Sequence, residues 1–162
     1  MACRSRRECD PQKIIAQTNH DRTDYRFPIA VYKPISAQNL DVMVRFKPVA
    51  GTIDQAGEVA VRLTTPDDYY VVRANALEDN VRFYRVVKGR REQSQGENVK
   101  VARNQWHTLG LRVEGSKFTV SFDDKPFFTA EDETFDKSRK IALWTKGDNI
   151  TYLDTITIRP LD

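Results

Sequence analysis

The sequence predicts an all-β chain folded as a two-sheet antiparallel sandwich, and three observations carry that expectation. Apolar and polar residues alternate at period two through much of residues 25–160, the mark of strands with one dry and one wet face. Turn chemistry recurs between these runs, at Thr65-Pro66-Asp67-Asp68, Lys88-Gly89, Glu114-Gly115-Ser116 and Lys146-Gly147-Asp148-Asn149. No segment offers a helical apolar stripe; the best candidate, Glu131–Ser138, is too short. About ten short strands spaced in this way make a sandwich or a barrel, and a single dry inner surface selects the sandwich.

The elements follow in order. Residues 1–20 are polar and aperiodic, a tail or an atypical first strand, and residues 21–162 form the domain. Val42, Val44 and Phe46 alternate with Asp41, Met43, Arg45 and Lys47 until Pro48 stops the run. Val59, Val61 and Leu63 alternate with Glu58, Ala60 and Arg62. Tyr69–Asn75 and Asn80–Val87 flank the loop Ala76-Leu77-Glu78-Asp79, and Lys88-Gly89 suits a two-residue hairpin turn with glycine at positive φ. Trp106–Val113 and Lys117–Asp123 make a further hairpin, with Phe118, Val120 and Phe122 on one face. Lys140–Thr145 and Thr151–Ile158 complete the set.

Composition narrows the function. A chain of 162 residues has the length for one well-filled core. Its net charge of +3 is dispersed, and the densest basic run, Lys88-Gly89-Arg90-Arg91, sits at a turn, so no basic stripe points to nucleic acid. No apolar run approaches the roughly 18–20 residues of a membrane-spanning helix. Cys3 and Cys9 have no Cys or His partners at metal-ligand spacing; they pair with each other under oxidising conditions or stay idle. The start Met-Ala-Cys-Arg-Ser-Arg-Arg lacks the apolar stretch of a secretory signal, which leaves the compartment open.

The Tyr69–Val87 hairpin is the functional candidate. Pairing across Ala76–Asp79 sets Asn75 opposite Asn80, Arg73 opposite Arg82 and Val71 opposite Tyr84, all on one face. Ala74 with Val81 and Val72 with Phe83 fill the other face as core. Two facing arginines repel, so something acidic answers them: Glu58, Glu78, or an anionic or polyhydroxyl ligand. Arg and Asn match vicinal hydroxyls, and an aromatic ring offers a flat surface for a sugar. In Ile141-Ala142-Leu143-Trp144-Thr145-Lys146 the alternation directs Trp144 and Lys146 away from the core, and an outward tryptophan exposes a large apolar area. The plain alternative is a solvated face held by ordinary ion pairs. Trp106 and His107 read as packing and structural residues at a strand start.

No complete catalytic set is present. The acidic cluster Glu131-Asp132-Glu133 with Asp136 lies in a loop-like segment, and the Glu-x-Asp-x-x-Glu pattern of sandwich glucanases is missing. His20 and His107 have no nucleophile in context, and no glycine loop cradles a phosphate. No cofactor is indicated. Asp148 with Asn149, or Asp67 with Asp68, supplies oxygen ligands of the kind Ca²⁺ takes, without a defined loop signature.

The run Asp68-Tyr69-Tyr70-Val71-Val72-Arg73-Ala74-Asn75 through Asn80-Val81-Arg82-Phe83-Tyr84 resembles a bacterial concanavalin A-like, laminin G-like jelly-roll family. So do Val44–Val49, the Trp106 opening, Ile141–Lys146 and Thr151-Tyr152. The likeness covers roughly residues 20–160. It is similar to the 3-keto-disaccharide hydrolase-like domain and, more distantly, to family-sixteen glucanases. The resemblance implies a secreted or periplasmic sugar-related domain with a concave groove lined by Arg73, Asn75, Asn80, Arg82, Tyr84, Trp144 and Lys146. It leaves three functions open: carbohydrate recognition, hydrolysis or lysis of a 3-keto-glycoside with Glu58 as the candidate catalytic acid, and protein interaction. The chain departs from the pattern in its short N-terminal region and in Glu58, an acid on the groove face that can neutralise Arg73.

Overall fold

The computed structural model describes residues 13–137 and 139–161. Cys3 and Cys9 lie outside the described residues, as does most of the predicted tail. Twelve strands and no helix occur among the described residues: β1 (Ile15–Ala16), β2 (Ile29–Ala37), β3 (Asn39–Ala50), β4 (Ala56–Thr65), β5 (Asp68–Asn75), β6 (Asn80–Val87), β7 (Arg90–Asn98), β8 (His107–Glu114), β9 (Lys117–Phe122), β10 (Lys125–Glu131), β11 (Arg139–Trp144) and β12 (Ile150–Leu161). They form two six-stranded antiparallel sheets, ordered β1-β12-β3-β8-β9-β10 and β2-β11-β4-β5-β6-β7. Local meanders, β4 to β7 and β8 to β10, alternate with connections that cross between sheets. The result is a jelly roll.

The dry interior is where period two places it. Leu40, Val42, Val44 and Phe46 of β3, Leu109, Leu111 and Val113 of β8, and Phe118 and Val120 of β9 face Val59, Val61, Tyr70, Val72, Val81 and Phe83, all fully buried. At roughly 25 cal/mol per Å² of apolar area, a layer of this size is the main stabilising term of the fold. Gly57 exists for packing: a Cβ there would collide with the Phe46 ring. The Lys88-Gly89 turn has positive φ at both residues, 50° and 75°, as a two-residue hairpin requires.

The expected alternation of β4 fails after Val61. Arg62 has φ 49° and the pairing with β5 shifts between Val61 and Thr65, a bulge that reverses the two faces. Leu63 therefore joins the outer cluster, and Arg62 turns to one end of the core, 5.5 Å over the Phe118 ring. Among the described residues its guanidinium forms no ion pair. It donates to Gln38 O (3.0 Å), Phe135 O (2.7 Å) and Gly115 O (2.5 Å), tying three connections together.

Candidate functional site

The registers place Asn75 against Asn80, Arg73 against Arg82 and Val71 against Tyr84, as the pattern predicts. Glu58 pairs with Arg73, and Leu143 with Val59, which brings Trp144 alongside Glu58 on the outer face of the second sheet. That face is not open. Its lower half is an apolar cluster of Ala60, Leu63, Tyr69, Val71, Tyr84, Val86, Ala142 and Trp144, with Phe27 and Ile29 packed on it. Trp144 points outward, yet it is 1% exposed. Phe27 stacks on it at 4.8 Å, and its Nε1–H donates to Tyr69 Oη at 2.7 Å. The expectation of an exposed tryptophan is corrected: the strand face is right, and the segment preceding β2 covers it.

The polar half is a buried charge cluster. Arg73 is 2% exposed. It forms an ion pair with Asp54, and its Nε lies 3.2 Å from Glu58 Oε1 without hydrogen-bond alignment. Glu58 answers Arg73 as anticipated; Glu78 does not, and accepts from Asn80 Nδ2 instead (3.1 Å). Asp54 went unpredicted because it sits in an irregular connection, where spacing along a strand says nothing about direction. Burial pushes the Glu58 carboxyl well above its usual range, the charge of Asp54 adds to this, and Arg73 opposes it. Burial also disfavours the charge of Arg73, but the two acids outweigh it and raise its pKa.

Of the other predicted residues, Asn75 joins the cluster through Nδ2, which donates to Asp54 Oδ1 at 3.4 Å, while the rest take separate positions. Asn75 Oδ1 accepts from the Leu77 and Glu78 N–H groups (2.8 and 3.2 Å) and shapes the hairpin loop. Arg82 turns to Asn98 Oδ1 (2.8 Å), over Gly96, whose missing side chain makes room for it. Tyr84 lies beneath Arg91, whose guanidinium carbon is 4.4 Å from the ring centroid. Lys146 pairs with Asp24 at 2.6 Å. Arg91 was missed as a site residue: β7 is wholly polar, and its Arg90-Arg91 pair reads as a solvated turn. Yet Arg91 also stands 5.9 Å from both the Trp144 and Phe27 rings.

Buried polar atoms on or beside this face lack hydrogen-bond partners: Asp54 Oδ2, Glu58 Oε1, Arg73 Nε, Asn80 Oδ1 and Arg91 Nη1. Unmet buried groups of this kind, together with a displaced pKa, mark candidate sites.

Of the calcium-ligand candidates, Asp148, Asn149 and Asp68 accept hydrogen bonds from the protein itself. Asp148 accepts from the Thr52, Ile53 and Asp54 N–H groups and from Thr52 Oγ1 (2.8, 2.8, 3.2 and 2.8 Å). Burial works against its charge, but these donors hold its pKa at about 2. Asn149 Oδ1 accepts from Ala56 N–H (3.1 Å) and Thr151 Oγ1 (2.8 Å). Asp68 accepts from Lys88 N–H and Thr65 Oγ1. No metal-ligating cluster of three occurs among the described residues.

Of the residues read as structural, His107 fits that reading: it is buried between Asp123 (Nδ1 to Oδ2, 3.0 Å) and Ala102 O (2.9 Å). Trp106 does not enter the core; it is half-buried beneath Arg45, 4.4 Å away. Asp132, from the acidic loop, accepts from Tyr70 Oη (2.6 Å) and Arg85 (3.1 Å).

Sheet order, crossings and the two unlike layers define a concanavalin A-like jelly-roll sandwich, the class also shared by its structural neighbours. The chain is similar to the carbohydrate binding module CBM66 from Bacillus subtilis, at 17% identity and TM-score 0.73, over 88% of this chain and 98% of that one. It is similar to the galectin LEC-6 of Caenorhabditis elegans, at 14% identity and TM-score 0.59, over 88% and 95% of the two chains. It is also similar to a prokaryotic β-1,3-1,4-glucanase (lichenase) from a mouse hindgut metagenome, at 14% identity and TM-score 0.62, over 82% and 71%. No family model and no curated protein sequence matches it.

Proposed function

We propose that this domain binds a neutral carbohydrate on the outer face of its second sheet. The predicted set is Arg73, Asn75, Asn80, Arg82, Tyr84, Trp144 and Lys146, to which Asp54, Glu58 and Arg91 are added. The supporting observation is the group of unpartnered buried atoms on guanidinium and carboxyl groups beside Tyr84 and Trp144. A sugar hydroxyl accepts from a guanidinium N–H and donates to a carboxylate oxygen, so vicinal hydroxyls satisfy both kinds of atom at once. Lys146 is paired with Asp24 and Arg82 turns away to Asn98, which leaves Asp54 and Glu58 against Arg73 and Arg91, with no surplus positive charge among these four to select an anionic sugar. Solved structures of this fold that are named as a carbohydrate-binding module and as galectins agree in kind. A glycan array followed by calorimetry tests the reading. Wild type binds a neutral glycan and Arg91→Gln weakens it at least tenfold; no bound glycan, or an unaffected Arg91→Gln, sinks it.

A second reading is favoured by one observation, a buried Glu58 carboxyl beside Asp54, whose pKa burial and the Asp54 charge push well above its usual range. Such an acid is suited to protonating a glycosidic oxygen, as the resemblance to 3-keto-glycoside hydrolases implies. Turnover of keto-glycosides by wild type that disappears in Glu58→Gln supports it, and turnover surviving that substitution rules Glu58 out.

A further inference from the structure

The chain itself already occupies the face that this reading assigns to a sugar. Residues 26–28 continue the antiparallel pairing of β2 with β11 beyond Trp144. Thr145 N–H donates to Pro28 O (3.0 Å), Gly147 N–H to Arg26 O (2.9 Å), and Arg26 Nη1 to Gly147 O (2.9 Å). From this edge the side chains reach over the sheet. Phe27 lies on Trp144 with only 28° between the rings, and Tyr25 packs on Phe27 at 4.9 Å. The Asp24 carboxylate reaches Lys146, and the charges of Arg91 and Arg73 act on it as well.

Phe27 thus lays a flat apolar ring on the tryptophan, and Asp24 brings an oxygen acceptor to the Lys146 ammonium. These are the two things a sugar would supply there: the apolar face of its ring and its oxygens. Beyond the paired backbone the hold is peripheral: Tyr25 Oη accepts from the Arg91 N–H at 3.3 Å, and an exposed Arg22 side chain lies 3.9 Å from Asp148. Tyr25 is 59% exposed and the Asp24 side chain 68% exposed, so its ion pair contributes little. Just upstream, Asp21 and Thr23 make local turns with neighbours two residues away, and Asp21 lies 3.6 Å from Arg26 in a partly exposed ion pair.

We propose that residues 22–28 form a self-occluding strap, with Phe27 and Asp24 as built-in competitors that a sugar displaces. This inference rests on the carbohydrate reading above. A site that is mostly closed binds more weakly in proportion to its open fraction, so loosening the strap raises the apparent affinity.

The test compares wild type, Phe27→Ala and Asp24→Asn, each checked for cooperative melting. Each is titrated by calorimetry with a panel of neutral mono- and disaccharides, and backbone hydrogen exchange is followed in parallel. Both variants are expected to bind the same sugars as wild type more tightly, Phe27→Ala roughly three- to tenfold and Asp24→Asn roughly two- to fivefold. In wild type the amides of Thr145 and Gly147 are expected to exchange faster once sugar is bound. If Phe27→Ala fails to fold, Asp24→Asn carries the comparison alone. Equal or weaker binding by the variants, or slower exchange at Thr145 and Gly147 with sugar present, overturns the strap and leaves the sugar site standing. Binding by none of the three proteins overturns both.

Discussion

Replacing Glu58 by glutamine isolates the charge imbalance at the heart of the site. Two carboxylates face one guanidinium there, with side chains of Asp54 and Glu58 wholly buried and that of Arg73 only 3% exposed. Glutamine keeps the volume and an acceptor for Asn149 Nδ2, which donates to Glu58 Oε2 at 3.2 Å. Arg73 stays paired with Asp54. The variant therefore removes a surplus charge, unlike the loss of a sole partner, which costs about 3–5 kcal/mol. The sign follows from linkage. Glu58 titrates higher in the fold than in the unfolded chain, so the native state binds its proton more tightly. That stabilisation is complete below the unfolded value near 4.5 and is lost as pH rises through the folded value. Glutamine behaves as the protonated form at every pH. Glu58→Gln should match wild type at pH 4 and exceed it at pH 8 by about 1–3 kcal/mol. Urea unfolding followed by circular dichroism across this range reads the difference. A variant less stable than wild type at pH 8, or a difference flat in pH, refutes the reasoning.

Two further outcomes follow from the loops. Asp148→Asn removes the charge that draws Thr52, Ile53 and Asp54 into place; a shift from 3.8 to about 2 corresponds to at most about 2 kcal/mol, and solvent beside the loop reduces this to roughly 1–2. The loss should be complete at pH 7 and vanish as pH falls toward 2, read by the same unfolding series; a loss persisting at pH 2 contradicts it. Arg62→Met leaves the Gln38, Gly115 and Phe135 carbonyls without their donor and should cost about 2–4 kcal/mol, seen as a lowered Tm. A shift under about 2 °C would show that water replaces the guanidinium easily.

The strands legible in the sequence are the central ones, where one dry face enforces alternation. Those left unread lie at the sheet edges. β2 and β10 contain Pro34 and Pro126, residues tolerated where one side of the strand has no neighbour. β7 is polar throughout and β1 has only two residues. Period two also gave the face of each site residue, because it depends only on the backbone. It did not give burial, which depends on what crosses above. Nothing local in Tyr25-Arg26-Phe27 announces that Phe27 lands on Trp144, 117 residues away in the chain. Nor does pattern reveal a bulge such as that at Arg62, where one positive φ exchanges the faces.

The indole N–H of Trp144 offers the most direct test of the carbohydrate site. In wild type it is buried and bonded to Tyr69, whereas the Trp106 ring lies on the other sheet, next to Arg45. Titrating labelled protein with neutral sugars should shift the Trp144 indole resonance saturably, leave that of Trp106 in place, and lose the shift in Arg91→Gln. A Trp144 resonance that stays fixed while Trp106 moves, or while neither responds, would contradict a sugar site on the second sheet.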